Sequence, residues 1–152
     1  MSKKSGIFAL AALLWGLFIF FNSLQTGEVS TQMSDAVVFR LPDWLRWIDL
    51  DTLIMLVRKT AHFMEYALLS LLVSLAFFHS GGLRLRNIGN ILFPCLLWAV
   101  ADEFIQTFVE GRTGLVRDVL IDFGGVLFGL ILTALLVWIR QQWKKRKRSF
   151  KW

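Results

Sequence analysis

Four long apolar blocks constrain this chain more than any other feature of its sequence. They cover residues 6–22, 60–78, 88–109 and 119–139, and they are continuous runs rather than amphipathic stripes. A helix needs about 20 apolar residues to cross a hydrocarbon core of about 30 Å, and 56% of the 152 residues are hydrophobic. These blocks therefore predict an all-α membrane protein with four transmembrane helices and no separate soluble domain.

The residues that flank the blocks refine the limits of the predicted helices. Asp51 stands in N-cap position before "TLIMLV", so the second helix is expected to begin near Thr52 and to extend a couple of turns beyond the membrane. "MSKK" before the first block is typical of a signal peptide, but no small-residue cleavage site follows, so we expect the helix to be retained. A single domain of residues 1–152 is predicted, with helices at about 6–22, 52–79, 88–109 and 118–139 and a basic tail at 140–152.

The Lys and Arg residues of the connecting segments predict the orientation of the bundle. Lys3, Lys4, Arg84 and Arg86 lie in short segments on one predicted side, and seven Lys/Arg follow the last helix. The other two loops, 23–57 and 110–118, are mixed in sign. Cytoplasmic loops carry the excess of Lys and Arg, so both termini are predicted to be cytoplasmic. We expect the tail to contact anionic lipid headgroups, so the net charge of +6 is not taken to indicate nucleic-acid binding.

The first outer loop contains the segment "LPDWLRWIDLD", which has its own pattern. Trp44 and Trp47 lie beside Leu41, Leu45 and Ile48, and such a pattern predicts a short interfacial helix on the outer membrane surface. An irregular loop anchored by the two tryptophans accounts for the pattern equally well.

Charged residues gather in the outer parts of the second, third and fourth helices, while the inner halves carry none. Helical spacing allows each helix to turn a polar stripe inward. These stripes are Lys59, His62 and Tyr66, then Glu103 and Gln106, then Asp118 and Asp122. The loop "VEGRTGLVRD" adds Arg112 and Arg117 at the same level. We therefore predict a half-buried polar pocket in the outer half of the bundle. Gly125 and Gly129 below it form a small-xxx-small face for close helix packing.

Three segments carry a resemblance to a known family. "FNSLQTGEVSTQMSD", "RKTAHFMEYALL" and "ADEFIQTFVEGRTGLVRDVLIDFGGVLFG" resemble, in order and spacing, the VanZ-like family over about residues 21–129. The resemblance implies a multi-pass protein of the bacterial plasma membrane, similar to proteins that lower susceptibility to teicoplanin and related lipoglycopeptides. The family positions carried over are Lys59, His62, Tyr66, Glu103, Gln106, Arg112, Asp118 and Asp122.

Three hypotheses for the polar layer follow from the residues. A network that only fixes helix register is the first, but such pairs contribute about 0.6 kcal/mol each on average, which is little for so many charges. The second is an enzyme of the outer leaflet acting on phosphorylated lipids, with candidate catalytic residues His62, Glu65, Glu103 and Asp118. The third is a non-catalytic site for a lipid headgroup, a cell-wall stem peptide or the glycopeptide itself. The predicted substrate-binding residues are Lys59, Tyr66, Gln106, Arg112, Arg117 and Asp122.

No cofactor is expected from the sequence. His62, Glu65, Glu103, Asp118 and Asp122 are acceptable ligands for a divalent metal, but the neighbouring cations are expected to neutralise the carboxylates, so a metal is not favoured. The predicted partners are membrane lipids, a lipid-linked cell-wall precursor or a glycopeptide antibiotic, and not nucleic acid. The sequence leaves the oligomeric state and the choice between enzyme and binding protein open.

Overall fold

The computed structural model describes residues 2–45 and 47–149, and these residues form helices and turns without a β-strand. Four of the helices are long and apolar enough to cross a membrane, which confirms the predicted all-α architecture. The end of the predicted basic tail, residues 150–152, lies outside the described residues. The five α-helices are α1 Lys3–Ser23, α2 Gly27–Val38, α3 Leu50–Gly81, α4 Ile88–Gln106 and α5 Val116–Ser149.

The two ends of the bundle differ in character. At one end, which we call the terminal end, Ser2 Oγ donates a hydrogen bond of 2.8 Å to the carbonyl oxygen of His79 and so joins the start of α1 to the end of α3. At the opposite end, the polar end, Gln106 Nε2 donates to Ser23 Oγ at 3.2 Å. Lys59 of α3 pairs there with Asp118 of α5. The predicted polar stripes of α3, α4 and α5 therefore begin at one end of the bundle.

Helices α3 and α5 pack through their backbones. A Cβ atom on Gly125 would clash with the carbonyl oxygen of Phe63, and one on Gly129 would clash with that of Ala67. The predicted close-packing face is thus confirmed, and Phe63 and Ala67 of α3 are its partners. We call these four residues the glycine seam. It fixes the register of α5 on α3 one turn beyond the polar groups of α5.

Two tryptophan side chains hold α1 against α3 and α4. Trp15 Nε1 donates to the carbonyl oxygen of Glu65 at 2.9 Å, and Trp98 Nε1 donates to that of Gly16 at 3.2 Å. Gly16 leaves room for the Trp98 ring, which a Cβ there would overlap. Buried indole N–H groups need such partners, so α1 is held against both α3 and α4 at fixed positions along its length.

The segment between α1 and α3 does not form the predicted interfacial helix and is closer to its alternative, an irregular loop. The expected interfacial helix in "LPDWLRWIDLD" is reduced to a 3-10 turn, Asp43–Leu45, with Trp44 and Trp47 exposed. The loop's α-helix instead lies earlier, at α2, where the Thr26 side chain accepts from the N–H of Val29 at 3.4 Å. Residues of α2 are mostly polar or small, so the apolar pattern gave no signal for it.

Helix limits also differ from the prediction, most of all at the end of α5, which continues to Ser149 rather than to residue 139 and so includes most of the predicted basic tail. The N-cap of α3 is Asp49 rather than Asp51, because Asp49 Oδ1 accepts from the N–H of Thr52 at 3.1 Å. The hydrogen bonds from Thr52 lower the pKa of Asp49. Helix α4 ends at Gln106 rather than at residue 109, since the next N–H groups form tighter bonds to carbonyls three residues back. The chain then turns at Gly111, which has a φ of 71°.

Candidate functional site

A cavity of about 90 Å³ opens at the polar end between α3, α4, α5 and the loop that joins α4 to α5. We call it the polar cavity. It is lined by Arg58, Lys59, His62, Glu103, Gln106, Gly111, Arg112, Thr113, Asp118, Ile121 and Asp122. Seven of the ten site residues predicted from the sequence are thus brought together: Lys59, His62, Glu103, Gln106, Arg112, Asp118 and Asp122.

The loop between α4 and α5 is folded back over the cavity by three polar contacts. Glu103 Oε1 accepts from the N–H of Leu115 at 2.6 Å. Gly27 donates its N–H to the carbonyl oxygen of Glu110 at 2.9 Å, which joins the loop to α2. Arg112 Nη2 donates to the carbonyl oxygen of Asn22 at 3.3 Å, which joins the loop to α1. Arg112 is therefore positioned above the cavity by backbone contacts.

Two of the acidic groups that line the cavity are satisfied within the protein. Asp118 forms an ion pair with Lys59, and both side chains are about a quarter exposed or less. Glu103 is held by the Leu115 N–H. These two carboxylates serve contacts between elements, and Lys59 is engaged with one of them.

His62 lies beside a carboxylate of its own helix, although its buried Nδ1 has no hydrogen-bond partner among the described residues. Its Nδ1 lies 3.7 Å from Glu65 Oε2, and Glu65 Oε1 in turn accepts from Asn22 Nδ2 at 3.0 Å. Glu65 lines a second cavity of about 110 Å³, the side cavity, on the α2 side of the bundle. Arg58, His62 and Arg112 line both cavities and so form the wall between them.

Besides Glu65, which lines only the side cavity, two predicted site residues line neither cavity. Tyr66 is fully buried in the core, and its hydroxyl has no hydrogen-bond partner among the described residues. Arg117 is exposed and lines neither cavity. Successive residues of a helix point about 100° apart, so the first turn of α5 turns Asp118 inward and Arg117 away. The expected role of Arg117 in holding a phosphate does not fit this placement.

Three polar residues of this region were absent from the predicted site. Arg58 lines both cavities, and its spacing of four residues from His62 was a usable signal. Asp102 is fully buried and accepts from Gln106 Nε2 at 3.3 Å, again four residues away. Asn22 orients Glu65 from the end of α1. Its position at the edge of an apolar block gave no comparable signal.

The two arginines of the wall lack an ion-pair partner among the described residues, although Arg112 Nη2 donates to the Asn22 carbonyl oxygen. Arg112 is half-buried, and its Nε is buried without a hydrogen-bond partner among the residues that the structure describes. Neither Arg58 nor Arg112 has a carboxylate within salt-bridge distance among the described residues. Burial, followed by the nearby charge of Arg58, lowers the pKa of the Arg112 guanidinium. Two guanidinium groups that face one space can bind a shared oxyanion in bidentate fashion.

Comparison with known proteins gives one match. The model of the family described as VanZ/LLP1 matches residues 8–138. This range contains every residue that lines the polar cavity. No curated protein and no solved structure matches the chain significantly.

Proposed function

The chain belongs to the VanZ/LLP1 family, and from the geometry of its polar cavity we propose that it binds the phosphate of a membrane-anchored ligand. The ligand is an anionic lipid headgroup or a lipid-linked cell-wall precursor in the outer leaflet of the bacterial plasma membrane. Both termini are cytoplasmic in this proposal, and the polar end faces outward. The excess of Lys and Arg at the terminal end supports that orientation.

The unpaired guanidinium of Arg112 carries the proposal. A buried charged donor without an acceptor is costly, and the N–H of Arg112 Nε is such a donor. Arg58 faces the same space without an ion-pair partner, whereas Lys59 is paired with Asp118. A phosphate would supply an acceptor for Arg112 Nε and an ion-pair partner for both guanidinium groups, which have no carboxylate within salt-bridge distance among the described residues.

The size of the cavity limits what can enter it. A volume of about 90 Å³ holds several water-sized groups, since about 10–15 Å³ suffices for one. A phosphate group fits this space, whereas a whole glycopeptide antibiotic does not. If the ligand is the lipid-linked precursor, lowered susceptibility to lipoglycopeptides would follow from competition for that precursor.

Hydrolysis or transfer of a phosphorylated lipid is the second candidate function, and one observation favours it. His62 lines the polar cavity, and Glu65 lies 3.7 Å from its Nδ1 and is itself held by Asn22. A histidine oriented by a carboxylate is the arrangement of a general base. Comparison of the lipids of cells with and without the protein distinguishes the two functions, because only the enzyme changes a headgroup.

Arg112→Gln is expected to weaken the binding of phosphorylated lipids by about 10- to 100-fold, because a hydrogen bond to a charged group contributes about 1.5–3 kcal/mol. Arg58→Gln is expected to act in the same direction. The measurement is titration of the protein in lipid nanodiscs with phosphatidic acid and, separately, with undecaprenyl phosphate. The stronger ligand of the two identifies the source of the phosphate.

Arg117→Gln is the matched control, since it removes the same charge near the cavity without removing a lining residue. It is expected to bind like the wild type. Diacylglycerol, which lacks the phosphate, is expected not to bind. Equal weakening by Arg117→Gln and Arg112→Gln would show that binding depends only on the overall surface charge, which would contradict the proposal.

The orientation can be tested with single cysteines. A cysteine placed at the exposed Thr113 is expected to react with an impermeant maleimide in intact spheroplasts, and one placed at the exposed Leu85 is expected to react only after lysis. The native Cys95 is buried and provides an unlabelled background. The reverse labelling order would place the polar end in the cytoplasm.

A further inference from the structure

We propose that the floor of the polar cavity is a site for a divalent transition-metal ion, with His62, Asp102 and Asp122 as its ligands. Each of α3, α4 and α5 contributes one of them, and their ligand atoms lie within 4.8 Å of one another. The site would bind its ion whether or not a phosphorylated lipid binds above it. It therefore goes beyond the proposed function and does not depend on it.

The two carboxylates are buried without an ion-pair partner in the part of the chain that the structure describes. Asp102 is fully buried, Asp122 is 2% exposed, and Asp102 Oδ1 has no hydrogen-bond partner among these residues. Among the described residues, neither carboxylate has a cationic side chain within 4 Å. The lysine of the site, Lys59, is paired with Asp118 instead. Removal of such a charge from water costs several kcal/mol unless it is paired. A metal ion between the two carboxylates would remove this penalty for both at once.

The expectation that nearby cations neutralise the acidic groups therefore holds for only part of the site. Asp118 is neutralised in this way, because it forms an ion pair with Lys59. The expectation does not describe Asp102 and Asp122, which lie deeper and were not separated from Asp118 and Glu103 by sequence spacing alone. Their greater depth distinguishes Asp102 and Asp122 from the other acidic residues that are acceptable metal ligands.

The surroundings of His62 match those of a metal ligand. Its Nδ1 lies 3.7 Å from Glu65 Oε2, and one of its ring nitrogens lies within 4.8 Å of carboxylate oxygens of Asp102 and Asp122. Metal-bound histidines usually have a carboxylate or carbonyl on the other ring nitrogen, which fixes the orientation of the ring. Glu65 is itself positioned by Asn22. The buried hydroxyl of Tyr66 lies near Asp102 outside hydrogen-bond geometry, so it is a further polar atom without a partner beside the cluster.

The donor set favours zinc-like ions over Mg²⁺ or Ca²⁺. Imidazole nitrogen suits Zn²⁺ and neighbouring transition metals, whereas Mg²⁺ and Ca²⁺ prefer oxygen ligands alone. Bond lengths of about 2.0–2.2 Å place tetrahedral ligand atoms about 3.4 Å apart, so the three side chains would close on the ion. Three protein ligands would leave one position free, and two of the three, His62 and Asp122, line the polar cavity together with Arg58 and Arg112.

Metal binding is tested on the full-length protein in detergent, stripped with a chelator and titrated calorimetrically with Zn²⁺ and with Mn²⁺ in the absence of phosphorylated lipid. The wild type is expected to bind a single ion per chain. Asp122→Asn and His62→Gln are each expected to lower the affinity by more than about 100-fold, because even outer partners of metal sites contribute 10- to 100-fold. Glu65→Gln changes a positioning residue rather than a ligand, so it is expected to lower the affinity by about 10- to 100-fold.

Glu103→Gln is the matched control, because it removes a carboxylate that lines the same cavity but belongs to the Leu115 contact. It is expected to lower the affinity by less than about tenfold, the lower limit for an outer partner. Absence of saturable binding of either ion by the wild type would overturn the proposal, whatever the variants do. Equal losses in Glu103→Gln and Asp122→Asn would overturn it as well. Lipid binding by the metal-free protein is measured separately, so failure of one proposal leaves the other intact.

Discussion

Gly125→Ala and Gly129→Ala are each expected to remove most of the protein from the membrane fraction. The new Cβ would overlap the carbonyl oxygen of Phe63 or of Ala67, and a backbone carbonyl within a helix cannot rotate away. Extra atoms in a packed core cost about 1–3 kcal/mol and sometimes more, and a clash with backbone belongs at the upper end. Immunoblots of membrane fractions and thermal unfolding in detergent measure the effect.

Gly89→Ala is the matched control for these variants. Gly89 also lies in a membrane-spanning helix, but a Cβ there would meet nothing within 4 Å. Alanine is favoured over glycine in a helix by up to about 1 kcal/mol, so this variant is expected to unfold at the same temperature as the wild type or slightly above. Normal accumulation and stability of both Gly125→Ala and Gly129→Ala would show that α3 and α5 do not approach through the glycine seam.

Lys59→Met is expected to lower the free energy of unfolding by about 2–3 kcal/mol, below the 3–5 kcal/mol that breaking a fully buried pair costs. The expected loss is smaller than for a fully buried pair because the two side chains are 20% and 26% exposed. The loss arises because Asp118 keeps its charge in a half-buried position without its partner. Chemical unfolding in mixed micelles gives the measurement.

The double variant Lys59→Met, Asp118→Leu tests whether this loss comes from the pair. Replacement of both partners by apolar groups is often nearly neutral, so the double variant is expected to recover most of the stability lost in Lys59→Met. Lys4→Met, at an exposed position of α1, is expected to change stability by no more than about 0.5 kcal/mol. Additive losses in the double variant would show that the two side chains do not interact.

The transmembrane helices could be predicted because block length alone specifies them. The polar cavity could be predicted in large part because Lys59 and His62, like Asp118 and Asp122, recur at helical spacing. Helix α2 could not, since short helices are stabilised mainly by tertiary contacts. The contacts of α2 are those with α3 and the hydrogen bond from Gly27 to the Glu110 carbonyl.

The roles of neighbouring residues with similar side chains could not be told apart from the sequence. Asp102 and Glu103 are adjacent, and spacing cannot say that Asp102 faces His62 and Asp122 while Glu103 holds the loop. Arg117 was included with Arg112 because both lie at the same level. Only the rotation of α5 about its axis, which depends on packing against α3, decides that Arg117 points away from the cavity.

The glycine seam also has a kinetic consequence. Because α3 and α5 pack backbone to backbone, we expect them to stay together when the proposed ligand enters or leaves. The loop between α4 and α5 lines the polar cavity and meets α2 where the backbones of Gly27 and Gly111 pass each other. A backbone hydrogen bond from Gly27 to the Glu110 carbonyl closes that junction. For the proposed ligand we therefore expect the residence time to depend on how often this neutral junction opens, and the affinity to depend on the charged residues of the cavity.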